Sequence, residues 1–329
     1  MKKIRIAQIG TEHDHSPCIM KSLRKNSDLF EVVGYANVPE EHNILPTEYE
    51  GVPSLTVSQL LDIPDLDAVT IETSEANLSK YALLAAERGL PIHMDKPGSE
   101  GFEELISMVK SKGTILHLGY MYRYNPAVIK LLNDIKLGKY GNIQSVEAQM
   151  SCWHSDEKRQ WLKKYDGGMM YYLGCHLIDL ILQIKGMPEE ILPFNCSTGI
   201  NGTDSEDNCF LIFKYSDGIS FAKTSAAEAG GYMRRQLVVS GTKGSCVLEP
   251  LEAYEEQTLT SSLYTGVREV TDNIFDWKND GVKYRTEKYD RYDTMMRSFA
   301  SYINGERVNP YTYDYELELY KILMKCCKK

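Results

Sequence analysis

What the chain lacks narrows its role first. No stretch approaches the roughly 18 consecutive apolar residues read as a membrane-spanning helix. The charged start, Met-Lys-Lys-Ile-Arg-Ile-Ala-Gln-Ile-Gly, carries too short an apolar run for a signal peptide, so a cytoplasmic location is expected. Positive charge is not in excess. Lys and Arg number 37 against 46 Asp and Glu, a formal charge of -9, which argues against a nucleic-acid or anionic-membrane surface and favours a small-molecule partner. The eight cysteines include no Cys-x-x-Cys pair, so reduced buried thiols are expected rather than a disulfide framework or a zinc site. There is no internal repeat and no low-complexity tract. What remains is the composition of an ordinary globular protein, 43% hydrophobic and 25% charged over 329 residues. That length suits two domains, because single cores stop growing near about 250 to 300 residues.

The first third alternates apolar runs with helical patterns. Residues 4–9, 30–36, 68–71, 90–94 and 114–118 read as buried strands. Helical patterns run through Cys18 to Leu23 and around 57–61, 78–88 and 102–112. Such alternation implies a parallel, doubly wound sheet of Rossmann type. Ligands of such sheets bind at the carboxyl ends of the strands. Lys96, in Asp95-Lys96-Pro97 after the run 90–94, is therefore a candidate for chemistry, against the bland reading of a lysine in a surface turn.

A dinucleotide site needs glycines in the first strand-to-helix turn, where backbone N–H groups approach the pyrophosphate, and an acidic residue after the second strand. The turn here is Gly10-Thr11-Glu12-His13-Asp14-His15. Only Gly10 stands; Glu12 and His15 take the second and third glycine positions, and Asn37 the acidic one. Glu12 brings negative charge toward a pyrophosphate, an electrostatic penalty unless it turns away. His13 and His15 can ligate a metal if their rings converge. Equally, they can cap the helix start or hydrogen-bond a phosphate, and no metal is assigned.

Further along, Asp67-Ala68-Val69, Tyr81-Ala82-Leu83, Ala85-Ala86, Gly89 and Asp95-Lys96-Pro97 resemble the Gfo/Idh/MocA family of glucose-fructose oxidoreductase and inositol 2-dehydrogenase. So do Gly119-Tyr120-Met121-Tyr122-Arg123-Tyr124-Asn125-Pro126, Trp161, Gly167-Gly168, Gly174-Cys175-His176 with Asp179, and Gly241-Thr242-Lys243-Gly244. The resemblance covers about residues 4 to 250. It implies a nicotinamide-binding domain, taken as 1–122, followed by an α+β domain with a mostly antiparallel open sheet, 123–329, that binds substrate and mediates a homo-oligomer, dimer or tetramer. Departures stand beside the matches: Asp95 where the family has Glu, Thr73-Ser74-Glu75 for its Thr-Pro-Asn turn, and Leu78 for a downstream histidine.

Met169 to Lys185 reads as one helix, stopped by Gly186 and Pro188. At 3.6 residues per turn, Tyr172, His176 and Asp179 share a face, while Leu173, Leu177, Leu180 and Ile184 form an apolar stripe. The family's aspartate four residues before the histidine is here Tyr172, a hydrogen-bond donor at neutral pH where a carboxylate accepts. Trp153 and Trp161 either stack on a sugar or pack.

The expected function is an NAD- or NADP-dependent oxidoreductase acting on a secondary alcohol of a sugar or polyol. His176 takes the hydroxyl proton, Lys96 stabilises the alkoxide and Asp179 orients His176. Tyr172, Arg123, Tyr122, Trp153 and Trp161 are expected at the substrate. Gly10, Thr11, Glu12, His13, His15, Asn37, Thr73, Ser74, Asp95, Lys96 and Pro97 are expected at the cofactor. Two alternatives remain: a non-redox lyase, epimerase or hydrolase assisted by a metal on His13 and His15, and a non-catalytic ligand sensor.

Overall fold

The structure, a computed structural model, describes residues 2–40, 47–254 and 262–328. The chain divides into two compact units. The first comprises Met1–Met121 and Tyr292–Tyr320, and the second Tyr122–Arg291 and Lys321–Lys329.

The first unit is built on six parallel strands, β1 (Ile4–Ile9), β2 (Phe30–Ala36), β3 (Ser54–Leu55), β4 (Ala68–Ile71), β5 (Ile92–Met94) and β6 (Leu116–Leu118). Their spatial order is β3-β2-β1-β4-β5-β6. This is the order of a doubly wound dinucleotide fold, with the chain reversing direction between β1 and β4. Helices α1 (Ser16–Lys25), α2 (Val57–Leu61), α3 (Leu78–Glu87) and α4 (Phe102–Lys112) make the crossovers. Strands covered on both faces need near-continuous apolar runs, and Ile6, Ile9, Val69, Ile71 and Ile92 are fully buried.

The sequence expectation places everything after residue 122 in the second domain, but Tyr292–Tyr320 belong to the first unit. The physical reason lies on α8 (Arg291–Ile303). It buries Met295, Met296 and Phe299, and Phe299 stacks on the His117 ring of β6 at 5.1 Å, almost parallel.

The second unit carries α5 (Pro126–Lys136), α6 (Asp156–Trp161), α7 (Cys175–Lys185) and an eight-stranded sheet. Its strands are β7 (Ile143–Gln149), β8 (Glu190–Cys196), β9 (Asn208–Tyr215), β10 (Gly218–Ser225), β11 (Gln236–Gly241), β12 (Gly244–Leu248), β15 (Gly266–Val270) and β16 (Val282–Arg285). A small ladder joins β13 (Ala253–Tyr254) to β14 (Leu263–Tyr264). The order is β16-β15-β12-β11-β7-β10-β9-β8, antiparallel except where β7 meets β10. Two-residue turns close β9–β10 at Ser216-Asp217 and β11–β12 at Thr242-Lys243. The overall class is therefore α/β, a parallel sheet followed by a mostly antiparallel one. The final helix is α9 (Tyr313–Cys327).

Candidate active site

The carboxyl ends of β1, β4 and β5 gather most of the residues singled out in the first unit. Gly10 ends β1 at φ +89°, and a Cβ there would lie 2.5 Å from the Thr73 backbone nitrogen. Only glycine permits that crossing of two strand ends. Thr11 donates its hydroxyl to the Asn37 side-chain oxygen at 3.0 Å, tying the first turn to the end of β2. That leaves the Asn37 amide N–H groups, uncharged, for the hydroxyl or phosphate of a ribose. Thr73 is buried and Ser74 half-buried at the β4 end. These residues fit the ribose end of a dinucleotide. The pyrophosphate segment offers fewer donors than usual, because Pro17 in the first turn of α1 has no N–H and Glu12 and His15 carry side chains where glycines would not.

His15 holds the N-cap position of α1 yet makes no capping hydrogen bond with its side chain. The helix-capping alternative therefore fails for it, because its ring is turned elsewhere. His15 Nδ1 lies 2.9 Å and His13 Nδ1 3.3 Å from the same oxygen, Oδ2, of Asp95. The other carboxylate oxygen accepts the Lys96 backbone N–H at 2.6 Å. Burial opposes ionisation of Asp95, but the two imidazoles beside it hold its carboxyl well below the usual range. Asp95, expected at the cofactor, is thus occupied by its own neighbours. Lys96 is 2% exposed and Pro97 buried.

Behind this group lies a polar row that the strand reading passed over. Glu72 follows β4, His93 sits in β5 and His117 in β6, all within the sheet interior. Burial first, and Asp95 second, push the Glu72 carboxyl well above its ordinary range. Burial lowers His93 to about 4, keeping it neutral, and its Nδ1 meets His117 Nδ1 at 2.8 Å. The available signal was the pattern itself: Ile-His-Met and Leu-His-Leu place a histidine inside an apolar strand, where an unpaired polar group is costly.

In the second unit, the helix carrying His176 is not uniform. Met170–Gly174 is a π-helix, and α7 begins only at Cys175. The four-residue step from Tyr172 to His176 crosses this segment, where each turn takes one more residue. The regular α-helical spacing expected of them is therefore altered, although a four-residue step still returns close to the same face. Tyr172 sits among Trp161 at 5.5 Å and His154 at 6.1 Å, edge to face. The Lys158 ammonium lies 3.7 Å from the Trp161 ring centre and 4.5 Å from that of Tyr172. Trp161 and Tyr172 thus form one half-buried aromatic group, while Trp153 is 58% exposed.

Three other expectations change. Tyr122 is buried, its hydroxyl donating to Glu252 at 2.7 Å, and Glu252 is itself held by Arg235 and Arg291. The Tyr122 ring meets His176 edge to face at 5.1 Å. Arg123, expected to bound a cleft, is 3% exposed and grips Asp179 through Nε at 3.0 Å and Nη2 at 2.8 Å. Asp179, expected to orient His176, is also taken by the Gln183 side-chain amide at 2.9 Å. A fork-on-carboxylate pair that is buried on both sides satisfies both groups in place.

A profile of the GFO/IDH/MocA C-terminal domain matches residues 129–247. Over those residues the chain is similar to the Gfo/Idh/MocA family. Among similar proteins, the uncharacterized oxidoreductase YhhX of Escherichia coli (strain K12) is 25% identical over 77% of each chain. Its crystal structure superposes with a TM-score of 0.74, covering 98% of this chain and 96% of that one at 21% identity. The 2,7-anhydro-N-acetylneuraminate hydratase of Mediterraneibacter gnavus is 22% identical over 76% of this chain and 68% of its own. Inositol 2-dehydrogenase 2 of Saccharopolyspora erythraea is 24% identical, covering 58% of this chain and 57% of its own. No helix among the described residues is long and apolar enough to cross a membrane.

Proposed function

We propose that this chain is an oxidoreductase that moves a hydride between NAD or NADP and a secondary alcohol of a sugar, polyol or related hydroxylated compound. The observation that carries the reading is Lys96. It is almost wholly buried at the carboxyl end of β5, its backbone fixed by Asp95, in a strand order that binds dinucleotides. Its ammonium stabilises negative charge on the substrate oxygen, and a ring nitrogen of His176 accepts the hydroxyl proton. Tyr122 steadies the His176 ring from its edge. Tyr172 and Trp161, with the Lys158 ammonium over them, offer an aromatic face on which a sugar ring stacks. Gly10, Thr11, Asn37, Thr73 and Ser74 would hold the nucleotide, and its nicotinamide supplies the hydride acceptor when bound.

Titration calorimetry with NAD and NADP, followed by turnover on a panel of polyols and aldoses, tests the reading. Lys96→Met and His176→Asn should keep nucleotide binding while turnover falls at least about a hundredfold. Binding of neither nucleotide, or full turnover by Lys96→Met, overturns it.

A second reading, a lyase or hydratase on a sugar derivative, is favoured by the altered pyrophosphate turn and by the hydratase among the relatives. It predicts product formation without net change in NAD(P)H absorbance. We also propose a homo-oligomer formed through the open face of the larger sheet. Support comes from Leu192 beside Ile212 and Phe194 beside Phe210, in register across β8 and β9, with Phe194 56% exposed and Phe221 stacked on Phe210 at 5.3 Å. Light scattering on the purified protein checks it, and a monomer at all concentrations refutes it.

A further inference from the structure

We propose that His13, His15 and Asp95 bind one divalent transition-metal ion of the zinc class. The proposal stands apart from the hydride reading and rests on the geometry of the first unit alone.

The donor atoms already converge. The Nδ1 atoms of His15 and His13 lie 2.9 and 3.3 Å from Asp95 Oδ2, and one donor atom from each residue lies within 4.8 Å of the others. Zinc binds imidazole nitrogen and carboxylate oxygen at about 2.0 to 2.2 Å, so two ligands on one tetrahedral ion stand about 3.3 to 3.5 Å apart. The two contacts to Asp95 need adjustments of a few tenths of an ångström, and the widest pair, within 4.8 Å, closes by up to about 1.5 Å.

Binding replaces one existing contact, because His13 Nδ1 accepts the His15 backbone N–H at 3.1 Å and has a single lone pair. The Asp95 carboxylate beside both imidazoles supplies negative charge that balances the ion.

The surroundings suit an ion. On the far side of the His13 ring, Glu75 Oε1 lies 3.7 Å from Nε2, the arrangement in which a carboxylate fixes the orientation of a metal-bound histidine. The His15 side chain is 18% exposed and gives access to an otherwise closed site. Two nitrogens and one oxygen select zinc, cobalt or nickel over magnesium or calcium, which take oxygen ligands. Three protein ligands leave a fourth position for water or a substrate oxygen, as catalytic zinc sites do.

The test is cobalt titration of the full-length protein after chelator treatment and dialysis, with neither nucleotide nor substrate present. Visible absorption reports Co²⁺ coordination. One equivalent of Co²⁺ should give a saturating tetrahedral-type spectrum that an equivalent of Zn²⁺ abolishes. His15→Ala, at the partly exposed ligand, should weaken binding by more than about tenfold with an unchanged far-ultraviolet circular dichroism spectrum. Glu75→Gln should weaken it by about tenfold, as loss of an outer carboxylate does. No cobalt spectrum at one equivalent, or an equal spectrum in His15→Ala, overturns the proposal and means that the three residues form a hydrogen-bonded cluster only. Because no nucleotide or turnover enters the readout, this failure is distinct from failure of the hydride reading.

Discussion

Asp179 is where a catalytic and a structural role give opposite results. Its carboxylate receives two hydrogen bonds from Arg123, at 3.0 and 2.8 Å, with both side chains about 1% exposed. Removing one partner of such a pair leaves the other charge buried and costs about 3 to 5 kcal/mol, whereas neutralising both is often close to harmless. Asp179→Asn keeps the shape and the oxygen that accepts from Gln183, but strands the Arg123 guanidinium. With a urea m-value of about 3 kcal/mol/M, the unfolding midpoint should fall by about 1 to 2 M. Arg123→Met combined with Asp179→Asn should recover at least half of that loss, which the singles alone do not predict. The assay is urea unfolding followed by tryptophan fluorescence and circular dichroism on all four proteins. A midpoint for Asp179→Asn within about 0.2 M of the parent, outside the shift expected from that m-value, would refute the structural reading. If kcat then fell and its pH profile moved, Asp179 would be orienting His176.

Three further outcomes follow from local geometry. Gly10→Ala forces a left-handed conformation on a residue with a Cβ and sets that atom 2.6 Å from Thr73 Cγ2. The cost should be about 2 to 5 kcal/mol from backbone strain and overpacking together. Thermal unfolding measures it, and an unchanged midpoint contradicts the crossing described for β1 and β4. Asn125→Ala removes the N-cap of α5, which accepts the Ala127 N–H at 2.8 Å, and a buried donor to the Leu251 carbonyl and the Tyr289 hydroxyl. It should cost about 2 to 4 kcal/mol in the same measurement. Burial pushes the Cys209 and Cys326 thiols up to about 12 and Cys246 up to about 11. Folding therefore keeps these protons, and stability from this source is lost as pH rises from about 8.5, the ordinary thiol value, toward those values. A disulfide reagent should modify exposed Cys196 first and reach Cys209 and Cys326 only after denaturant is added; rapid modification of all eight would refute the burial.

The strands and helices of the first unit were legible because each carries a signal of its own. Ile4 to Ile9 and Ala68 to Ile71 are largely apolar runs, and Val57 to Leu61 has the limits expected from sequence. Lys96 was found by its place after such a run. What escaped was information held between elements. Nothing near Arg123 announces Asp179, and nothing near Tyr122, expected at the substrate, announces Glu252 and the arginines that enclose it. The return of Tyr292 to Tyr320 to the first unit depends on Phe299 meeting His117, a pairing that no local pattern encodes. β8 carries no buried-strand signal, because it contains Pro193 and exposes alternate residues.

The π-turn at Met170–Gly174 bears on how substitutions in this chain should be weighed. Each residue of an α-helix accounts for about 100° of rotation, so absorbing one extra residue turns everything before it by about that angle relative to His176. Tyr172 lies inside the segment and takes only part of that rotation, whereas Gly167 and Gly168 before it take the whole. Deleting one residue between Met170 and Gly174 would restore the α-helical register of that stretch, a change that no single replacement makes.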